Sequence, residues 1–186
     1  MRRHINNLLS VIHSFCRMLF LKALYFKGLK FYPVQRLSPS VVFEMNRGSK
    51  VFLGKTIRVH SGSKIKIRTG GKLIIGDNVK INYNGVIVCH DEIVIGAGTE
   101  FGPAVYIYDH DHDYKSGLNK QEYKTAPVKI GENCWIGANC VLLRGTELGD
   151  NCVVAAGSVI KGKYPANCLI YQKRDTRTLI EDKNND

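Results

Sequence analysis

An aliphatic residue recurs at every sixth position through the C-terminal part of this chain. The series consists of Ile130, Ile136, Leu142, Leu148, Val154 and Ile160. Neither the three-and-four spacing of a helix nor the alternation of a single strand gives a period of six. A hexapeptide repeat does, because each unit is a short strand and a tight corner, with its aliphatic side chain in a shared core. The pattern predicts a β-solenoid.

A second inward position carries small side chains two residues before each aliphatic one: Cys134, Cys140, Thr146, Cys152 and Ser158. We interpret these cysteines as packing thiols of a reducing compartment, because no CxxC pair suggests a structural zinc site. The repeat begins loosely near Val41 and stops between Ile107 and Ile130. So long an excursion from a regular solenoid is usually functional.

Residues 1 to about 31 are predicted to form an amphipathic helix, followed by a linker that contains Pro33 and Pro39. Its apolar positions keep helical spacing and basic residues flank them: Leu8, Leu9, Ile12, Phe15, Leu19, Ala23 and Phe26, with Arg2, Arg3, Arg17, Lys22, Lys27 and Lys30. Interrupting charges and the lack of a cleavage site argue against a signal peptide, and the uncharged runs are too short to span a membrane. The helix either packs on the solenoid end or lies in the membrane interface, and we favour the interface.

Positive charge is concentrated in the first half of the chain. Residues 1–88 carry a net charge of +14 and the remainder −3. Such asymmetry indicates an anionic partner, either a membrane surface or an acidic substrate. Nucleic acid is the weakest alternative, because no nucleic-acid-binding motif accompanies the charge.

The repeat resembles that of the hexapeptide-repeat acyltransferases, and above all the maltose- and galactoside-acetyltransferase-like group with its bacterial polysaccharide sugar O-acetyltransferases. The resemblance implies an all-β fold, a left-handed parallel β-helix, with acetyl-CoA as acyl donor and no metal. It also implies a homotrimer with active sites between subunits, acting in the cytoplasm or on the inner face of its membrane. We expect a helix and linker over 1–40, a β-helix over 41–165 with an extruded loop at 108–129, and a charged tail over 166–186.

The excursion contains the sequence YDHDHDY, in which His110 and His112 each lie between aspartates. Imidazole accepts a proton near neutral pH, and a neighbouring carboxylate can fix its tautomer. Counting hexapeptides from Ile95 without gaps, the resemblance implies that His112 is the catalytic base, and a two-residue shift would select His110. Glu122 occupies the place of a family glutamate, where it either pairs with the histidine or faces solvent.

The resemblance also implies substrate-binding positions. Asn82 and Asn84 correspond to an acceptor-binding asparagine, although a role as corner residues is equally consistent with the sequence. His90 replaces a family acidic residue, and Trp135 is expected to point outward beside the cleft between subunits. A backbone path for the coenzyme A arm is implied at Ala155, Ala156, Gly157 and Ser158, with possible phosphate contacts from Lys161, Lys163, Lys173 and Arg174.

The resulting hypothesis is direct acetyl transfer to a sugar hydroxyl of a surface polysaccharide, with a histidine as general base. Two alternatives remain. A γ-carbonic-anhydrase-like enzyme could bind zinc through His90, His110 and His112, since that class shares the solenoid. A non-catalytic β-helix scaffold at the membrane is the other.

Overall fold

The computed structural model describes residues 2–113 and 122–173, with side chains described from residue 8 onward. One helix, α1 (Arg2–Leu24), precedes a parallel β-solenoid of about six turns. Successive strands of each turn belong to three different sheets, so that every sheet runs the length of the solenoid. The predicted all-β solenoid with an N-terminal helix is confirmed.

Sheet A contains β1 (Leu29–Phe31), β4 (Lys50–Leu53), β7 (Lys72–Ile75), β10 (Glu92–Ile95), β15 (Val128–Ile130), β18 (Glu147–Leu148) and β21 (Lys163–Tyr164). Sheet B contains β2 (Arg36–Leu37), β5 (Arg58–Val59), β8 (Lys80–Ile81), β11 (Glu100–Phe101), β16 (Trp135–Ile136), β19 (Val153–Val154) and β22 (Leu169–Ile170). Sheet C contains β3 (Val42–Met45), β6 (Lys64–Ile67), β9 (Val86–Cys89), β12 (Tyr106–Tyr108), β17 (Val141–Leu142) and β20 (Val159–Ile160). A separate antiparallel hairpin joins β13 (His110–His112) to β14 (Tyr123–Thr125).

The sixth-position aliphatic side chains form the core, as their period predicts, and all six from Ile130 to Ile160 are buried. The small inward residues lie between them. The Cys134 thiol contacts the Gly149 carbonyl of the next turn at 3.3 Å, and the Cys140 thiol contacts that of Ala155 at 3.1 Å. Burial raises the pKa of both thiols, which keeps them protonated. The predicted packing role of these cysteines agrees with this geometry.

Each turn has three corners, named here A–B, B–C and C–A after the sheets they connect. Glycine is required where turns stack closely at the A–B corner. A Cβ on Gly131 would lie 2.6 Å from the Asp150 nitrogen in the following turn, closer than real contacts allow. The residue two positions later, Asn133, adopts a φ of 53°, which asparagine tolerates better than most residues.

The solenoid extends beyond the predicted bounds of 41–165 on both sides. At the N-terminal side, β1 and β2 pair with β4 and β5, so the expected linker already belongs to the sheets. Leu37 and Phe43 keep the period of six in this turn, and Gln35 occupies the second inward position, two residues before Leu37. It is fully buried, with its amide nitrogen donating to Gly54 O at 2.7 Å and its amide oxygen accepting from Ile57 N at 3.1 Å.

Helix α1 packs across the N-terminal end of the solenoid and ends at Leu24 rather than near residue 31, because Leu29 onward pairs with β4. Its inward stripe includes the buried Ser14 and Met18. The Ser14 hydroxyl accepts from Leu37 N at 2.8 Å and donates to Ser10 O at 2.7 Å, within the helix. No helix in the described part of the chain has the length and apolarity required to span a membrane.

A side chain covers the last strand of sheet C. The Gln172 amide oxygen accepts from Val159 N at 3.0 Å, and its amide nitrogen donates to Val159 O at 2.7 Å. Gln172 therefore satisfies the two groups that a further strand would otherwise bind.

Candidate active site

The hairpin leaves the C–A corner directly after β12 and presents two histidines on one face. His110 lies opposite Thr125 and His112 opposite Tyr123 in the hairpin register. Alternate residues of a strand share a face, so the imidazoles and the Tyr123 ring lie on the same side. Asp111 points to the other side, where its carboxylate pairs with the Arg144 guanidinium at 2.5 Å.

Five aromatic rings form a cluster around this face. The His90 ring, from the preceding turn, packs at a tilt against His110 with a centroid distance of 3.9 Å and against Tyr123 at 4.4 Å. Tyr123 also contacts His112 at 4.8 Å, and Tyr108 meets the edge of His110 at 5.8 Å. His110 is thus enclosed, with only 12% of its side chain exposed, whereas His112 is an exposed residue at the rim.

Asp109 anchors this corner. Its carboxylate is fully buried and accepts the backbone N–H groups of His90 at 2.8 Å and Asp91 at 2.7 Å. The His110 Nδ1 lies 3.2 Å from Asp109 Oδ1. Because an ionised carboxylate only accepts, this contact assigns the proton to Nδ1 and leaves Nε2 of a neutral His110 free to accept one.

The electrostatics follow from these contacts. Burial alone would raise the pKa of Asp109, but hydrogen bonds from His110 and from the His90 and Asp91 amides outweigh it and lower that pKa. Burial and the neighbouring His110 lower the pKa of His90, which stays neutral between two other rings. Burial and the Asp109 charge raise the pKa of the Cys89 thiol, so this cysteine is no nucleophile.

Four residues around the histidines were not singled out from the sequence: Asp109 as an anchor, Tyr108, Tyr123 and Arg144. The DHDH run showed that carboxylates flank the histidines, but only the solenoid register brings the buried Asp109 to the His90 amide. Glu122 is exposed, and its carbonyl oxygen accepts from Asp113 N at 2.9 Å, which closes the hairpin. Its carboxylate forms no ion pair with either histidine among the residues described.

The predicted acceptor residues lie at a different corner. Asn82 and Asn84 occupy the B–C corner before β9, whereas His90 follows β9 at the C–A corner. The four residues of β9 separate them by about 13 Å at 3.3 Å per residue. Asn84 has a φ of 59° and fills a corner position, and the Asn82 side chain accepts from Tyr83 N at 2.8 Å. Trp135 points outward from sheet B and is 58% exposed, as expected.

The run from Ala155 to Ser158 also forms a B–C corner, in the C-terminal part of the solenoid. Ala156 is exposed, Gly157 has a φ of 72°, and the buried Ser158 hydroxyl donates to Ala155 O at 2.7 Å. Two backbone amides of this corner are already bonded within the solenoid, Ala155 N to Ile170 O at 2.8 Å and Gly157 N to Ala138 O at 2.7 Å. The small exposed side chain of Ala156 would let a ligand approach the corner closely.

The four basic residues expected near the coenzyme phosphates do not form one cluster. Lys173 lies three residues after β22, which pairs with β19 at the C-terminal end of sheet B. Lys161 lies at the C–A corner, and Lys163 begins β21 and pairs with Glu147 at 3.1 Å. Arg174 lies outside the described residues. Across 2–113 and 122–173, no group of three or more His, Cys, Asp or Glu side chains is arranged to hold a metal ion.

Comparison with known proteins places this fold and site in a family. Residues 127–161 match the family model described as "Hexapeptide repeat of succinyl-transferase". The chain is 30% identical over 150 residues to the putative lipopolysaccharide biosynthesis O-acetyl transferase WbbJ of Escherichia coli, covering 75% of this chain and 76% of that protein. It is 40% identical over 99 residues to the putative acetyltransferase YJL218W of Saccharomyces cerevisiae, which covers 52% of this chain.

The chain spans only 50% of that yeast protein's length. Among solved structures, PerB from Caulobacter crescentus, in complex with CoA and GDP-perosamine, superposes with a TM-score of 0.54 at 24% identity. That match covers 75% of this chain and 54% of PerB and concerns the fold alone. The chain belongs to the hexapeptide-repeat acetyltransferases, as the WbbJ alignment over three quarters of both sequences shows.

Proposed function

We propose that this protein is an acetyl-CoA-dependent O-acetyltransferase that modifies a sugar hydroxyl during surface-polysaccharide synthesis. The histidine face of the hairpin carries the proposal, because it provides a proton acceptor beside an open surface. The similarity to WbbJ, whose name specifies lipopolysaccharide O-acetyl transfer, supports the substrate class. The galactoside O-acetyltransferase of Escherichia coli, 34% identical over 96 residues, supports a sugar hydroxyl as acceptor.

In the proposed reaction, the base removes the hydroxyl proton while the sugar oxygen attacks the thioester carbonyl carbon. The tetrahedral intermediate collapses as the carbon–sulfur bond breaks, and the imidazolium returns its proton to the departing thiolate. Backbone N–H groups would stabilise the oxyanion. No acyl-enzyme is required, and the buried Cys89, with its raised pKa, is not suited to form one.

His112 is the proposed base, because it is the histidine that an acceptor can approach from solvent. His110 is the second candidate, favoured by one observation: its Nδ1 contact with Asp109 fixes the tautomer that accepts a proton at Nε2. In the preferred assignment, the enclosed His110 instead positions Tyr123 and the hairpin face on which His112 lies.

Substitution of each histidine distinguishes the two assignments. We expect His112→Ala to lose at least about a hundredfold in kcat, since a general base contributes ~10²–10⁴, with acetyl-CoA affinity unchanged. His110→Ala should be milder. Near-normal turnover of His112→Ala together with an inactive His110→Ala would transfer the role to His110.

We further propose a homotrimer in which neighbouring chains complete each site. In one chain, the histidines lie at the C–A corner. The asparagines and the proposed coenzyme-binding run 155–158 lie at B–C corners, on the other side of sheet C. A neighbouring copy could place its own B–C corner beside these histidines, and the exposed Trp135 provides an apolar contact for that copy. Light scattering at micromolar concentration tests this, and a stable monomer with full activity would contradict it.

Peripheral binding to an anionic membrane is proposed for α1. The helix side opposite Ser14 and Met18 is apolar yet exposed, which is the reverse of an ordinary surface helix. Its exposed members are Leu8, Leu9, Ile12, Phe15, Leu19, Phe20 and Leu24. Deletion of residues 1–24 should abolish vesicle binding, and retained binding would exclude the helix as the contact.

Consumption of acetyl-CoA with a panel of free sugars, nucleotide sugars and lipid-linked oligosaccharides tests the activity itself. Turnover that depends on a sugar acceptor supports the proposal. The two alternative functions give different results in the same preparation. Stoichiometric zinc that is lost on substitution of the histidines would indicate the carbonic-anhydrase-like enzyme, and absence of acetyl-CoA binding would indicate the scaffold.

A further inference from the structure

A groove lies where the chain passes from α1 into the first strand of the solenoid. Its volume is about 530 Å³, and its walls come from the turn at 24–28 and the C–A corner at 47–50. We call it the basic groove after Lys27, Arg47 and Lys50, which line it. A second cavity of about 400 Å³ shares Lys27 and Lys50 and continues along sheet A.

The two walls are held together by specific contacts. The Lys22 ammonium donates to Phe26 O and Leu29 O, each at 2.6 Å, which fixes the turn after the helix. A Cβ on Gly28 would lie 2.6 Å from Ser49 O, so only glycine lets this turn approach the opposite corner so closely. The groove is therefore a defined feature of the backbone.

Charge in the basic groove is uncompensated. Lys27, Arg47 and Lys50 are exposed, and none of them forms an ion pair within the described chain. Residues 1–43 contain no acid, and the nearby Glu44 is engaged by Lys66 at 3.2 Å on sheet C. Three cations around one cavity repel one another, so an anion bound among them would relieve that repulsion.

The rim of the groove is apolar. Leu24 and Phe26 line it and are 61% and 71% exposed. Leu24 also belongs to the exposed apolar side of α1, so the helix face and the groove form one continuous surface. A phospholipid matches both parts, because its phosphate is attached to acyl chains. A freely diffusing phosphate matches only the cationic part of the surface.

We propose that the basic groove binds the headgroup phosphate of an anionic phospholipid while the apolar side of α1 lies in the bilayer interface. This site rests on the proposed membrane association and adds a lipid preference to it. Arg47 and Lys50 would contact the phosphate, and Leu24 and Phe26 would lie beside its acyl chains. The groove would also fix the orientation of the solenoid on the membrane, because it lies at one end of the helix only.

Flotation with vesicles of phosphatidylcholine, with and without phosphatidylglycerol, tests the proposal on the full chain. The variant Arg47→Gln/Lys50→Gln removes two groove charges. The variant Lys55→Gln/Lys64→Gln removes two exposed charges from outside the groove and is the matched control. At about 1 kcal/mol per cation at the surface, the groove variant should lose about thirtyfold in partitioning onto the phosphatidylglycerol vesicles. The control should lose less than about threefold, and far-UV circular dichroism should be unchanged in both.

Equal losses of vesicle binding in the two variants would mean that the membrane attracts all surface cations alike. That result would overturn the lipid site in the groove and leave membrane association intact. Failure of the unmodified chain to float on either vesicle would remove membrane association itself, and the groove proposal with it. If instead the groove variant floats normally but changes its oligomer size in light scattering, the groove is an interface between copies and the lipid assignment is wrong.

Discussion

Replacement of Asp109 is the most direct test of how the candidate active site is built. In Asp109→Ala, the amides of His90 and Asp91 lose their acceptor at a part-buried corner, and His110 loses its Nδ1 partner. A buried donor left unsatisfied costs about 1–3 kcal/mol, and two part-buried amides at the low end of that range together cost about 2 kcal/mol of unfolding free energy. For a chain of this size, ~1 kcal/mol shifts Tm by about 2–4 °C, so we expect a decrease of at least about 4 °C.

The isosteric Asp109→Asn separates charge from shape. The asparagine amide oxygen can still accept from the backbone N–H groups, so Asp109→Asn should lose less stability than Asp109→Ala. Because the pKa of Asp109 is lowered in the folded protein, its stabilisation is complete above the unfolded value of about 3.9 and is lost as pH falls below it. The asparagine variant should lack that component of acid sensitivity.

Thermal unfolding followed by circular dichroism, with kcat measured in parallel, is the appropriate assay. If His110 is a positioning residue held by Asp109, both variants should lower kcat even at temperatures where they remain folded. An Asp109→Ala protein with unchanged Tm and unchanged kcat would refute the anchoring role, because no other acceptor in the described structure could then account for the two amides.

Three further predictions address the corner residues and the end of the solenoid. The lowered pKa of His90 makes the folded state bind fewer protons than the unfolded state, so the protein loses stability as pH falls from about 7 to 5. His90→Asn should reduce that loss, and Tm measured across the same pH range checks it. Gly131→Ala should cost about 1–3 kcal/mol, since its Cβ meets the backbone of the next turn, and an unchanged Tm would contradict that steric reasoning. Gln172→Ala should accelerate hydrogen exchange at the Val159 amide while leaving the Val141 amide, bonded to Ser158 O, as protected as before.

The core could be predicted from the sequence and much of the site could not, for a physical reason. Inward positions such as Ile136 and Cys140 follow a local period, which is visible without knowing how turns stack. Contacts of the site join corners one turn apart, as between Asp109 and the His90 amide, and depend on register. Gln35 is a further contact of this kind: its buried amide bonds the backbones of Gly54 and Ile57 in the next turn, and the hydrophobic pattern does not show it.

The Gln172 contact with Val159 also has a consequence for assembly in a crowded cell. Parallel solenoids end in strands whose N–H and C=O groups can pair with another chain, which makes end-to-end growth into fibres a hazard. One amide side chain occupies both groups of Val159 on sheet C. A second molecule would have to displace Gln172 before it could add a strand at that point, so the residue acts against polymerisation as well as contributing to local order.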